Sequence, residues 1–269
     1  MNIKTHHCLK ALSLALSLEL AMSTSLPAVA TEYTLRQQPL MSAKEVLIAQ
    51  RRRARLRFRV PNLRASGNLR GGAARGNCSV DGTSKVEVVP LVPTTNIGLT
   101  VAAKPTFFFQ VSKSAAKEAK FSLLNKEGDD TLYEKTFPLT STGGVMSFTL
   151  PADAQTLEVN KEYRWSLEVI CDTQDGDQGG NTHVEGAVKR VTPEAPIAQE
   201  LNNAPISDRL TIYTQAGYWY DTVKTLAQLR LDNPNDSTLK EEWTDLLDEV
   251  GLNTIAQQPL VQCCTLENQ

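Results

Sequence analysis

In Tyr163-Arg164-Trp165-Ser166-Leu167-Glu168-Val169 large apolar side chains alternate with polar ones. Successive side chains of a strand point to opposite faces, so this stretch predicts a strand with one buried and one wet face. Trp165 is then a core anchor. Outward from it, the chain divides into similar short runs at 86–92, 98–102, 106–111, 119–124, 131–137, 145–150, 162–171 and 183–191. Asn125-Lys126-Glu127-Gly128, Thr142-Gly143-Gly144 and Asp175-Gly176 supply turn chemistry between runs.

Seven or eight strands in about 105 residues predict an immunoglobulin-like β-sandwich over 78–192. After Pro193 and Pro196 the periodicity turns helical, so the fold class is mainly β plus α. Ser207 is placed to cap a helix that Gly217 ends. A second helix, 219–231, carries Trp219, Val223, Leu226, Ala227 and Arg230 on one face, and Asn233-Pro234-Asn235-Asp236 breaks it. A third, 237–250, repeats Leu239, Trp243, Leu246, Leu247 and Val250 at helical spacing. Gly251 stops it, and a short turn over 254–257 leads to Pro259. Tyr213, Gly217, Trp219, Leu226, Leu229 and Pro234 are spaced as in the later part of a tetratricopeptide repeat. Thr222 and Leu229 stand where that repeat has alanine, and no second full copy follows. Residues 193–269 are therefore expected to form a single tetratricopeptide-like helical hairpin.

Upstream of the strands the chain reads as an address followed by a charged arm. Lys4 and Lys10 flank the start of an apolar run, Ala11-Leu12-Ser13-Leu14-Ala15-Leu16-Ser17-Leu18, and Ala28-Val29-Ala30 supplies small residues for cleavage. Glu19 interrupts the run well short of the ~20 residues of a membrane span. Residues 1–30 are expected to be a signal peptide removed near Ala30. That places the mature chain in the periplasm or outside the cell, without a transmembrane segment. Residues 31–77 read as a disordered Arg/Gly-rich arm, with nine arginines between 46 and 75, among them Arg51, Arg52, Arg53, Arg55, Arg57 and Arg59. From residue 76 onward stand 15 of the 28 Lys and Arg against 27 of the 30 Asp and Glu. A basic arm thus precedes an acidic body. The arm reads as a solvated tether or as an attachment to an anionic envelope surface or acidic partner. Export argues against nucleic acid.

An oxidising compartment turns four cysteines, Cys78, Cys171, Cys263 and Cys264, into candidates for two disulfides. Disulfides favour Cα atoms about 5.5–6 Å apart, and adjacent residues lie only ~3.8 Å apart, so a Cys263–Cys264 bridge is strained. Both other pairings tie the C-terminus to Cys78 and to Cys171.

Catalytic chemistry has few carriers. His183 is the sole histidine after residue 30, and no Gly-x-Ser-x-Gly elbow occurs. Asp172, Asp175 and Asp177 could offer oxygens to calcium from one loop, but the EF-hand pattern fails because Gly186 stands where the bidentate glutamate belongs. A solvated hairpin loop is the plainer reading. No two acids are singled out as a glycosidase pair. No catalytic residue, metal or cofactor is assigned. Tyr218-Trp219-Tyr220 differs from these: at 3.6 residues per turn its rings fan over ~200° of a helix, wider than one core-facing stripe. These rings are expected either to pack between helices and sheets or to form an aromatic partner-binding hot spot.

Leu91-Val92-Pro93, Asn96-Ile97-Gly98-Leu99-Thr100 and Pro105-Thr106-Phe107-Phe108-Phe109 resemble the opening of the cyanobacterial "domain of unknown function 928" family. Lys161-Glu162-Tyr163-Arg164-Trp165, Ile170-Cys171 and Gly186-Ala187-Val188-Lys189-Arg190-Val191 are similar to its middle. Gly217-Tyr218-Trp219-Tyr220-Asp221, Leu226-Ala227-Gln228-Leu229-Arg230 and Cys263-Cys264 complete the likeness. The resemblance implies an exported cyanobacterial protein and brings no catalytic residue with it. The expected function is that of a non-enzymatic envelope protein acting through protein–protein contacts. A carbohydrate- or peptidoglycan-binding module is the alternative, and a hydrolase using acidic residues comes third.

Overall fold

The computed structural model describes residues 56–64, the backbone of 74–76, and residues 85–171 and 181–261. Nine strands come first: β1 (Ala74–Gly76), β2 (Val86–Pro90), β3 (Ile97–Thr100), β4 (Thr106–Val111), β5 (Glu118–Leu124), β6 (Thr131–Pro138), β7 (Gly144–Thr149), β8 (Glu162–Ile170) and β9 (Thr182–Arg190). They form two sheets, ordered β1-β2-β4-β7 and β3-β9-β8-β5-β6. All pairings are antiparallel except β3 with β9, which run parallel.

The alternation in β8 is realised residue by residue. Tyr163, Trp165, Leu167 and Val169 are buried, while the polar residues between them are half-exposed. Between the sheets lies an aromatic core. Phe121 of β5 stacks on Phe148 of β7 at 4.4 Å and lies 4.9 Å from Phe107 of β4. Trp165 reaches Phe107 at 5.4 Å. The indole needs a gap in the neighbouring strand, and Gly186 provides it: a Cβ there would stand 2.7 Å from the ring.

Four helices follow: α1 (Ala195–Asn203), α2 (Ile206–Ala216), α3 (Trp219–Asp232) and α4 (Ser237–Glu249). A short 3-10 turn, Asn253–Ile255, follows α4. None of the described helices is long and apolar enough to cross a membrane. Helix α1 was not foreseen; it buries no residue fully, its apolar Ile197, Ala198 and Leu201 are only half-buried, and Pro196 sits in its first turn, where the missing N–H is harmless. Ser207 does not cap α2, which begins one residue earlier at Ile206 behind Pro205. Gly217 does end α2, at φ 76°, and a Cβ there would meet the Arg59 carbonyl at 2.6 Å. Asp236 caps α4 by accepting from the backbone N–H of Thr238 and Leu239.

One expectation about a boundary is corrected. The disordered arm expected over 31–77 contains ordered pieces: β1 pairs with β2, and Leu56 and Phe58 are buried in the core. Leu56-Arg57-Phe58-Arg59 alternates inward and outward, and Arg59 N–H donates to the Thr214 carbonyl at 3.1 Å. Sheets and helices also share one hydrophobic core, from Val86 and Trp165 to Leu226 and Trp243. Residue 193 therefore marks a change of secondary structure around that core.

Candidate functional site

The aromatic run at the start of α3 is where helices meet sheets. Trp219 Nε1 donates to the Leu91 carbonyl at 2.8 Å, just after β2. Trp165 Nε1 donates to Tyr220 Oη at 2.7 Å, and that hydroxyl donates to the Ala187 carbonyl of β9 at 2.9 Å. Tyr220 thus accepts from one strand and donates to another, all out of water. Burial pushes its phenol above the ordinary range, so it stays a neutral donor. Phe107 meets Tyr220 edge-on at 5.3 Å, and Phe58 meets Trp219 edge-on at 5.0 Å. Gly98 of β3 permits this approach, since a Cβ there would lie 2.8 Å from the Tyr220 ring.

The partner-binding role considered for Tyr218, Trp219 and Tyr220 is corrected by this geometry. They are 6%, 0% and 2% exposed. One helical stripe cannot bury three successive rings, but the tip of α3 enters the gap between the sheets and is surrounded. Tyr218 lies before the first helical residue and packs towards Tyr213, with ring centres 6.4 Å apart.

Asp221, one residue further, is a buried carboxylate that went unnoticed in the sequence. Its Oδ2 accepts from Val101 N–H at 3.0 Å, tying the first turn of α3 to the end of β3. Burial pushes its pKa up to about 6, against the opposing pull of the Val101 N–H, the Thr100 side chain and Lys224. A lone acid directly after three aromatic residues was the available signal.

The outward face of the second sheet carries the exposed polar chemistry. Strand register aligns Thr136, Lys120, Glu168 and His183 in one row and Glu134, Ser122, Ser166 and Glu185 in the next. Lys120 Nζ lies 3.2 Å from Glu168 and 3.7 Å from Glu134. Asn181 Nδ2 donates to Glu168 at 3.0 Å, while Asn181 Oδ1 accepts from Cys171 N–H at 2.9 Å. Ser122 Oγ donates to Glu134 at 3.2 Å. Burial pushes the Glu168 carboxyl up, but the bonds from Asn181 and Lys120 outweigh it and hold the pKa below the usual range. The bond to Glu168 is the main reason the Lys120 pKa is raised. This face is an ordered plate of paired charges. It can present fixed donors and acceptors to a polar surface.

Of the other candidate residues, Arg57 and Arg59 are exposed on the segment that crosses the helices. Cys171 is buried at the end of β8. Arg51, Arg52, Arg53, Arg55, Cys78, Cys263, Cys264 and the aspartates Asp172, Asp175 and Asp177 lie outside the described residues. Among the described residues no three metal-ligating side chains cluster.

Two packed sheets, a helical segment bolted into them by an aromatic and carboxylate junction, and a charged outer sheet face define a β-plus-α protein with one continuous core. Residues 70–260 match the family described as Domain of Unknown Function (DUF928), and the chain belongs to that family. The match starts just before β1 and ends at Leu260, which bridges to Val145 of β7. Among curated proteins none matches the chain.

Proposed function

We propose that this chain is an exported, non-enzymatic protein of the cell envelope that works by protein–protein contact through the outward face of its second sheet. The observation that carries the reading is the row Thr136–Lys120–Glu168–His183, in which Asn181 and Lys120 hold the Glu168 carboxylate before any partner arrives. Preorganised surface charge lowers the entropy of ordering on contact. The export pattern of residues 1–30 supports the location. Strand order supports an immunoglobulin-like sandwich: β1 and β2 pair in one sheet, β3 crosses to run parallel to β9, and β9-β8-β5-β6 follow in the other. The Gly217 turn between α2 and α3 supports a repeat-like hairpin. Thr222 occupies a usual alanine position and satisfies its hydroxyl on the Tyr218 carbonyl.

A photo-crosslinking residue at Ser166, in the middle of the plate, is expected to capture a protein in living cells. Adding Lys120→Glu with Glu168→Lys should abolish that adduct while far-UV circular dichroism stays unchanged. Capture of glycan, or retention of the folded chain on isolated cell wall, would favour a carbohydrate- or peptidoglycan-binding module instead.

Two disulfides that staple the C-terminal tail belong to the same proposal. Gly76, Val86 and Gly144 of the first sheet and Glu118 and Ile170 of the second stand at one end of the two sheets. Val261 N–H bonds to the Val145 carbonyl beside that end, two residues before Cys263. Peptide mapping of the exported protein should join Cys263 and Cys264 to Cys78 and Cys171. A Cys263–Cys264 bridge, or four free thiols, would remove the staple.

A further inference from the structure

We infer that Arg230 and Trp243, packed together between α3 and α4, form a binding site for a carboxylate group. This goes beyond the proposed function and does not depend on it. The core-facing side of α3 carries Trp219, Val223, Leu226, Ala227 and Arg230, so one cation stands at the end of an apolar stripe. Its guanidinium carbon lies 5.0 Å from the centre of the Trp243 ring, a cation–π contact. Trp243 is 0% exposed, in the middle of α4. Neither its buried Nε1–H nor the buried Nη1 of Arg230 finds an acceptor among the described residues.

Two buried donors side by side need a cause, since buried polar groups almost always have partners. Stacking does not supply it. Cation–π attraction uses the face of the indole, whereas its N–H points outward in the ring plane. The C-terminal end of α3 favours a positive charge, but the helix dipole accepts no hydrogen bond from Nη1. Asp232, two residues on, is exposed and accepts from Gln228 Nε2 at 2.8 Å. Burial draws the Arg230 pKa down, and no acid among the described residues offsets it. The partner these donors fit is therefore anionic and accepts two N–H bonds. A carboxylate meets both requirements, with one oxygen for Nη1 and the other for Nε1. A buried water could accept both bonds but would leave the charge unbalanced. The enclosed indole favours a small planar group over a tetrahedral phosphate. Arg230 itself is half-buried and lies three residues before the exposed turn 233–235, which gives the route in.

Indole nitrogen–proton NMR spectra of the full chain test the site, with acetate replacing chloride at constant ionic strength. The chain has three tryptophans. Trp165 and Trp219 already donate, to Tyr220 and to Leu91, and serve as internal controls. One indole signal should shift and saturate while the other two stay fixed, and that signal should be missing from Trp243→Phe. Arg230→Gln removes the charge at similar length and should weaken acetate binding by about tenfold or more. A short peptide with a free C-terminal carboxylate, compared with its amide, separates two sources of the group. Tighter binding of the free peptide than of acetate assigns a chain terminus; equal or weaker binding assigns a small free carboxylate. An Arg230→Gln chain that binds acetate equally well would overturn the site. So would tighter saturation by phosphate than by acetate, or no saturable shift of a single indole signal. The last two readings use the unaltered chain and need no variant to fold.

Discussion

Trp219→Ala is expected to destabilise the protein by about 5 kcal/mol in urea unfolding, close to the whole stability of many domains. Truncating a fully buried tryptophan to alanine costs about 3–5 kcal/mol through lost burial and the cavity left behind. Here the cavity would open where Phe58, Gly98 and the start of α3 meet. The Leu91 carbonyl would also lose its buried donor, adding about 1 kcal/mol. Trp219→Phe keeps most of the volume and loses the hydrogen bond, so a loss of about 1–2 kcal/mol is expected. If Trp219→Ala unfolds within about 1 kcal/mol of the unaltered chain, the ring is not part of the core.

The second large effect concerns pH. In the folded protein Asp221 titrates at about 6, above its ordinary value of 3.8. The folded state therefore holds this proton when the unfolded state has lost it, and stability falls as pH rises between about 4 and 6. A shift of about two units corresponds to about 3 kcal/mol, and the loss levels off above pH 6. Thr100 and Val101 face the carboxylate from the end of β3, and Lys224, Tyr213 and Tyr218 are its charged and titratable neighbours. Glu168 acts in the opposite sense: its lowered pKa gives stability above its ordinary range that is lost as pH falls. Asp221→Asn keeps an oxygen for Val101 and cannot ionise. Its stability should exceed that of the unaltered chain at pH 8 and match it more closely at pH 4. A variant that loses stability equally at both values would show that the carboxylate is ionised and paired when folded.

What could be read from residues alone depended on how local the cause was. Alternation in β8 comes from one strand facing one core, and Tyr163, Trp165, Leu167 and Val169 are buried as their spacing demanded. Gly217 ended its helix because a positive φ is a local requirement. The crossing segment was harder. Leu56-Arg57-Phe58-Arg59 alternates over only four residues amid many arginines, and its burial depends on helices some 150 or more positions away. Tyr218-Trp219-Tyr220 misled for a related reason. A helical wheel counts one face, whereas a helix tip inserted between sheets is buried all round. The row Thr136–Lys120–Glu168–His183 draws on four strands and became visible only once their register was known.

The central claim is that sheets and helices form one cooperative unit with a shared core, bolted at Trp219, Tyr220 and Asp221. Native-state hydrogen exchange tests this most directly, by comparing the slowest amides of β8, such as Leu167 and Val169, with those of α3, such as Leu226 and Ala227. A shared core predicts that both sets open only by global unfolding, with the same free energy and the same dependence on urea. Helical amides that exchange through a separate, lower-energy opening while β8 stays protected would contradict it.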